Sequence, residues 1–252
     1  MTAIKLSDQQ RVQLHDCALQ LADNRLPPGW EPVQSSAYAR VACNSEQQLY
    51  YKEFMPRSPV EALKARVRGS RATRARRNGD ALLRAGIGAP VNVAWGKLPN
   101  GSEYLFSEAV PGDDVTRWLR SVLVTRTGEQ LLLRRRLLRD LGKFIGRVHA
   151  TGFIHGDLRP GNILAHCWGE YFQFNPIDNE RTVQYLPPPG KLLLKNLMQL
   201  NMLLPTDLSR RDRMRFFCAW QEQMRELSVV EARLLAVEAY QWASRRMGDD
   251  LH

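Results

Sequence analysis

The stretch His155-Gly156-Asp157-Leu158-Arg159-Pro160-Gly161-Asn162-Ile163-Leu164, followed by Ile177-Asp178-Asn179-Glu180, decides how this chain is read. It holds an Asp, an Asn five residues later, and a second Asp 21 residues after the first. Those are the parts of a phosphoryl-transfer site. Asp157 stands where a catalytic base meets a substrate hydroxyl, and Asn162 and Asp178 stand where Mg²⁺ on a nucleotide is held. The chemistry demands such groups. The transferred phosphoryl carries charge that a metal must neutralise, and the attacking hydroxyl needs an oxygen acceptor within reach. A lone Asp-x4-Asn would read as a turn, because His-Gly-Asp and Pro-Gly-Asn are good loop formers. Here the motif lies between an apolar helix pattern and two short apolar strand patterns, Asn162-Ala165 and Phe172-Ile177, and that context favours phosphoryl transfer.

At 252 residues the chain can hold one large domain or a two-lobed one with a continuous core. Its 44% hydrophobic and 25% charged content is ordinary for a globular protein. No apolar run is long enough for a transmembrane helix, and Met1 to Ser7 lacks a signal-peptide core. Cys17, Cys43, Cys167 and Cys218 show no Cys-x-x-Cys spacing. They read as reduced thiols of a cytoplasmic protein and not as zinc ligands.

The net charge of +10 is concentrated. Between Arg57 and Arg84 nine basic residues (Arg57, Lys64, Arg66, Arg68, Arg71, Arg74, Arg76, Arg77, Arg84) face only Glu61 and Asp80. A second group, Arg134, Arg135, Arg136, Arg139, Lys143 and Arg147, lies on one helix pattern. Such fields attract nucleic acid, phosphorylated glycolipid or an anionic membrane face. Aromatic residues do not interleave with the first group, so no nucleic acid is expected as a partner. The second group reads equally well as a solvated helix face.

Ser7-Asp8-Gln9-Gln10 is a capping box opening a helix through about Ala22, which Pro27-Pro28-Gly29 follows. Strand patterns come next at Glu31-Gln34, Ala39-Cys43 and Gln48-Phe54. Arg66 to Arg84 reads as a helix interrupted near Asn78-Gly79. Val91-Lys97 and Glu103-Ser107 read as a hairpin. Leu131 to Thr151 is a strong helix, with Leu137, Leu138, Leu141, Ile145 and Val148 at helical spacing. Pro187-Pro188-Pro189-Gly190 reads as a linker, and the remainder is helical.

A strand-rich first part with one helix, a hinge, then a helical part carrying Asp157, Asn162 and Asp178 is a two-lobed layout. The expected fold is α+β and protein-kinase-like: residues 1-107 a small lobe with an N-terminal helix, 108-112 a hinge, and 113-252 a helical lobe, all one domain. Over about residues 30 to 225 the chain resembles the lipopolysaccharide kinase family of the Kdo/WaaP type. The residues that carry this resemblance are Tyr50-Tyr51-Lys52, Gly69-Ser70-Arg71-Ala72, Ala85-Gly86-Ile87-Gly88-Ala89-Pro90, His149 to Leu158, and Ile177-Asp178-Asn179-Glu180-Arg181. Asn196 to Asn201 and Asp212 to Phe216 look like that family's C-terminal helices.

The resemblance implies roles for residues the motif does not reach. Lys52, on the third strand pattern, becomes the lysine that reaches the α- and β-phosphates, a catalytic and cofactor-binding position. Its acidic partner departs from the pattern. No Glu stands between Glu61 and Glu103, so Asp80 is the candidate. The phosphate-covering turn, Gln34 to Arg40, contains no glycine; Ser35 and Ser36 could supply hydroxyls and Arg40 charge. Ser107 to Gly112 resembles the hinge, where backbone groups around Glu108 and Val110 would meet the adenine edge. Gly156 replaces the Arg that answers a phosphorylated activation loop in many protein kinases. His155 reads as a brace for the catalytic turn and His149 as a core histidine.

The implied function is an ATP- and Mg²⁺-dependent kinase of a sugar hydroxyl in the lipopolysaccharide inner core. The substrate would be the core or another anionic glycolipid, and the enzyme would be cytoplasmic with peripheral contact to the anionic inner membrane. Two alternatives stay open at this point: a kinase of a small-molecule or protein hydroxyl, and a catalytically weak pseudokinase acting as a binding module.

Overall fold

The computed structural model describes residues 6–56, 58 and 69–249. The chain divides into two compact units, Met1–Val110 and Pro111–His252. Each is built around its own core.

The first unit opens with α1 (Asp8–Ala22), started by the expected capping box. Ser7 Oγ accepts the Gln10 N–H, and Gln10 accepts the Ser7 N–H. Five strands follow: β1 (Trp30–Val33), β2 (Ala39–Asn44), β3 (Leu49–Phe54), β4 (Asn92–Lys97) and β5 (Glu103–Glu108). They form one antiparallel sheet in the order β1-β2-β3-β5-β4. Strand alternation sorts β3. Tyr51 packs with Ala18 and Leu21 of α1 and with Trp30, Tyr104 and Phe106. Glu53 points the same way and is buried, paired at 2.7 Å with Arg40, whose guanidinium also donates to the last carbonyls of α1. Lys52 and Phe54 therefore face the opposite side. There Phe54 packs with Ala72 of α2 (Arg71–Arg84) and with Leu105.

Helix α2 begins at a Ser70 cap and runs through Asn78-Gly79 without the expected interruption. Gly79 is buried, and a Cβ there would lie 3.3 Å from the Asn92 amide, so glycine serves close packing and does not break the helix. Arg57, Lys64, Arg66 and Arg68 lie outside the described residues. The cations that α2 does show are partly committed to the fold. Arg71 is buried, donates to the Tyr38 carbonyl and lies over the Phe54 ring. Arg74 donates to Gly69, and Arg76 lies 4.3 Å over the Trp95 ring.

The second unit is organised by α3 (Gly128–Ala150). Before it come the short strand β6 (Asp113–Asp114), one helical turn (Val115–Arg117) and a π-helical turn (Trp118–Val122). After it come β7 (Phe153–Ile154), the hairpin β8 (Ile163–Trp168) and β9 (Tyr171–Pro176), β10 (Val183–Gln184), and helices α4 (Gly190–Leu200), α5 (Arg210–Gln221) and α6 (Val229–Asp249). β6, β8 and β9 make a three-stranded sheet, and β10 pairs with β7. The leucines expected at helical spacing on α3 are buried. Gly142 and Gly146 let α5 approach closely: a Cβ on Gly142 would lie 2.2 Å from the Phe216 carbonyl oxygen, and one on Gly146 2.6 Å from Gln223. At the other end of this contact Arg134 and Asp212 form a buried ion pair at 3.1 Å, and Arg134 also donates to the carbonyls of Leu119 and Leu123. Pro187 to Pro189 is not a linker between domains but the lead-in to α4, with Pro189 as its cap.

Among the described residues no helix is long and apolar enough to cross a membrane.

Candidate active site

The 155–164 stretch folds into a turn held from three sides. Strand β7 delivers the chain to His155, and a 3₁₀ turn (Pro160–Asn162) feeds it into β8. The Asp157 N–H donates to His155 Nδ1 at 3.1 Å. Nδ1 is thus an acceptor, so Nε2 carries the proton and donates to the Ile177 carbonyl at 2.8 Å. Burial pushes the His155 pKa down, which keeps this neutral form. One imidazole thereby joins the Asp157 turn to the strand end that presents Asp178. Asn162 makes a second tie. Its Nδ2 donates to the Asp157 carbonyl at 2.8 Å, while its own carbonyl accepts the Ile177 N–H at 2.9 Å.

Asp157 is one-third exposed through its side chain. Its Oδ1 accepts from Arg159 Nε at 3.0 Å and from Gln199 Nε2 at 3.2 Å. Among the described residues Oδ2 has no hydrogen-bond partner, so one lone-pair face remains for a substrate hydroxyl. Asp178 has φ +60°, in the left-handed region that non-glycine residues seldom adopt. The turn after it (Asn179–Arg181) packs directly on Gly156, where a Cβ would lie 2.2 Å from Arg181 Cβ. This close approach is what a glycine before Asp157 permits.

Helix α4 supplies a support that the motif itself does not reveal. Asn196 Oδ1 accepts the His155 N–H at 3.1 Å, and its Nδ2 donates to the His155 carbonyl. Gln199 Oε1 accepts the Leu158 N–H at 3.0 Å. Asn196 Oδ1 also meets His149 Nε2 at 3.2 Å, and the Trp220 indole N–H donates to His149 Nδ1 at 3.0 Å. An indole N–H can only donate, so His149 Nδ1 accepts and Nε2 carries the proton. His149 is fully buried, and burial holds its pKa down to about 4. It is the core histidine the sequence suggests. Arg159 was legible two residues after Asp157; Asn196 and Gln199 were visible only as part of a helix pattern.

A hard divalent cation suits the oxygen donors here. Asn162 turns its NH₂ inward, leaving Oδ1 without a hydrogen-bond partner among the described residues, and Asp178 offers a carboxylate. No group of three His, Cys, Asp or Glu that could hold a metal occurs among the described residues.

The remaining candidates lie in the first unit. Lys52 sits on β3, the central strand of the sheet and not an edge, with its ammonium 5.2 Å from the Phe54 ring centre. Asp80 does not pair with it. Its Oδ1 accepts from Asn92 at 2.7 Å and its Oδ2 lies 3.9 Å from Arg76, one helical turn away. The short Asp side chain is satisfied by its own helix and by the neighbouring strand β4. Ser35 uses its hydroxyl to close the turn, donating to the Ala39 carbonyl at 2.8 Å, while the Ser36 carbonyl accepts the Ala39 N–H. No residue of that turn has positive φ, so it needs no glycine. Arg40 is turned away to Glu53 and α1. The Glu108 and Ala109 N–H groups donate to Val91 and Gln48, whereas the Val110 N–H has no such partner among the described residues.

Comparison with known proteins bears on the fold and the family. Over 99% of both chains the fold matches the solved structure of WaaP in complex with acyl carrier protein, with TM-score 0.63 and 17% identity. It also matches the bifunctional kinase-methyltransferase WbdD over 86% of this chain and 50% of that one, with TM-score 0.53 and 20% identity. No curated protein sequence matches the chain. Residues 32–220 match the model of the lipopolysaccharide kinase (Kdo/WaaP) family, a span that contains the Asp157 turn and both candidate metal-holding residues, and the chain belongs to that family.

Proposed function

We propose that Asp157, Asn162, Asp178 and Lys52 carry the activity that family membership assigns. That activity is phosphoryl transfer to a sugar hydroxyl of the lipopolysaccharide inner core. The supporting observation is the division of labour at Asp157. Oδ1 is held by Arg159 and Gln199, and Oδ2 is open. The acceptor hydroxyl donates its hydrogen bond to Oδ2 and passes its proton there as its oxygen attacks the γ-phosphorus of ATP; the bond from that phosphorus to the β,γ-bridging oxygen breaks, and ADP leaves with the electron pair. Asn162 Oδ1 and the Asp178 carboxylate would hold Mg²⁺, which when bound supplies neutralising charge on the phosphates. Lys52 steadies the α- and β-phosphates as a point cation. Ser35 and Ser36 contribute through the turn they close, and the Val110 N–H beside Glu108 meets the adenine edge. We assign Asp80 no part in holding Lys52.

The acceptor is an anionic glycolipid anchored in a bilayer, so the enzyme works in the cytoplasm as a peripheral protein at the inner membrane. The test is thermal unfolding with ATP, with and without Mg²⁺. In the parent, Mg²⁺ raises the nucleotide-dependent shift in Tm. In Asp178→Ala the Mg²⁺-dependent part disappears while the nucleotide-free Tm stays near that of the parent. An undiminished Mg²⁺ effect in the variant removes Asp178 from the metal site.

A further inference from the structure

We infer that the tip of the β8–β9 hairpin and the outer face of α3 form one surface that seats this enzyme on an anionic bilayer. The inference rests on the peripheral location proposed above and names the surface responsible. It starts from how the fold divides the six cations of α3. Arg134 turns inward, 1% exposed, to Asp212. At 3.6 residues per turn the other five, Arg135, Arg136, Arg139, Lys143 and Arg147, fall within about 120° of arc on the far side of the helix. None of the five is in an ion pair among the described residues. The acid within their span is Asp140, at the edge of the arc, and its Oδ2 accepts the Phe172 N–H at 3.2 Å.

That hydrogen bond ties β9 to the stripe. Phe174 packs on Phe144, with ring centres 5.4 Å apart, and Phe172 lies at Asp140 one turn earlier. The strand thus runs back along α3 past Asp140, so the hairpin tip lies toward the N-terminal half of that helix, where Leu132 is 61% exposed. At the tip Trp168 and Tyr171 are cross-strand partners, 70% and 71% exposed. The neighbouring Phe172 and Phe174 are buried, so alternation leaves Trp168 and Tyr171 facing out with no core to serve.

Tyr and Trp are amphipathic rings that settle at the headgroup level, and Lys and Arg lay their stems along apolar surface while their charges reach phosphate. Other exposed features lack one half of this pairing. On α6, Val230, Leu234 and Val237 are interleaved with Glu231 and Glu238. On α2, Arg71, Arg74 and Arg76 are engaged within the fold. An acidic soluble protein would meet the cations but has no need of the aromatic tip.

The test uses the full chain, sedimented with phosphatidylcholine vesicles with and without phosphatidylglycerol, at low and high salt. The parent runs beside Trp168→Ser/Tyr171→Ser and Arg139→Ser/Lys143→Ser/Arg147→Ser. Thermal unfolding with and without Mg²⁺ and ATP checks the fold of each. The parent should bind the anionic vesicles, less at high salt. The triple charge variant should bind about a hundredfold more weakly, since each basic residue near an anionic surface contributes about fivefold. The hairpin variant should also bind more weakly, with the fraction that resists salt removed. If the parent binds and both folded variants bind equally well, the bilayer contact is elsewhere and this surface is overturned, while the peripheral reading stands. Where only the charge variant loses binding, the surface is a polyanion or acidic-protein face and the bilayer assignment fails. No binding by the parent overturns the peripheral reading and this surface together.

Discussion

At Asp157 the protein holds one carboxylate oxygen and leaves the other. Arg159 and Gln199 fix Oδ1, and the backbone N–H of Asp157 is held by His155. The carboxylate is therefore oriented before any substrate arrives, as the proposed role of general base requires. Asp157→Asn keeps the shape and loses the proton acceptor. Turnover should fall about 10²–10⁴-fold, the usual contribution of a positioned general base, while ATP affinity barely changes. Single-turnover kinetics and a nucleotide titration check the two halves. An equal loss of ATP affinity would place Asp157 among the metal-holding residues instead. At the same scale Lys52 shows how far residue type carries a reading: its strand and its facing were legible, but its expected partner was not, because Asp80 is closer to Arg76 and Asn92.

Among the elements, the contact between α3 and α5 bears the most weight. Gly142 and Gly146 bring the helices together at one end, and the Arg134–Asp212 pair joins them at the other. Burial pushes the Asp212 pKa up, but hydrogen bonds from Ser209 and the Arg134 charge outweigh it, so the carboxyl is held below its usual range. Breaking such a pair on one side leaves an uncompensated buried charge. Asp212→Ala should cost about 3–5 kcal/mol, read by urea unfolding. Arg134→Met combined with Asp212→Leu should recover part of that loss, since neither charge is then stranded. Equal stability of Asp212→Ala and the parent would mean that the pair is solvated in solution. From sequence, helical spacing puts Arg134 in register with Leu137, Leu138 and Leu141, but only the packing of α5 supplies the Asp212 that lets its charge be buried there.

For the whole molecule, two histidines make stability depend on pH. Burial lowers the pKa of His149 to about 4 from 6.5, and lowers that of His155 as well. In the unfolded chain both bind protons near the ordinary value, so the unfolded state binds more protons in that window. Their contribution is complete above about pH 6.5 and is lost as pH falls toward the folded values, about 4 for His149. Asp212 acts only lower, because its folded pKa lies below 3.8. Unfolding free energy should therefore decline between about pH 6.5 and about pH 4, with a limiting slope of about 1.4 kcal/mol per pH unit for each buried histidine. His149→Gln should flatten part of that slope while lowering stability overall, because Trp220 and Asn196 lose their shared partner. A parallel pH profile in the variant would show that His149 is not the group responsible.

Much of the fold and of the candidate catalytic turn follows from local pattern. The capping box at Ser7, the alternation along β2 and β3, the helical spacing of Leu137 to Val148 and the Asp157-Asn162-Asp178 spacing are all short-range features, fixed by backbone geometry and residue type. The same chain segment tells nothing about which distant group a polar side chain will meet. Arg40 turning to Glu53 and α1, Asp80 to Asn92, Arg134 to Asp212, and Gln199 to Asp157 are choices made by packing. In each case a buried or half-buried polar group must find a hydrogen-bond partner, and the partner is set by which elements lie side by side. The glycines divide in the same way. Gly79 looks like a helix breaker in sequence and is a packing residue in space, and Gly156 looks like a missing arginine and is the contact point for Arg181. Sequence by itself determined the chemistry this protein performs, because that chemistry needs particular atoms at short spacing. Only the tertiary structure decided which charges are used inside the fold and which stay outside for a partner, because burial is a property of neighbours that are far apart along the chain.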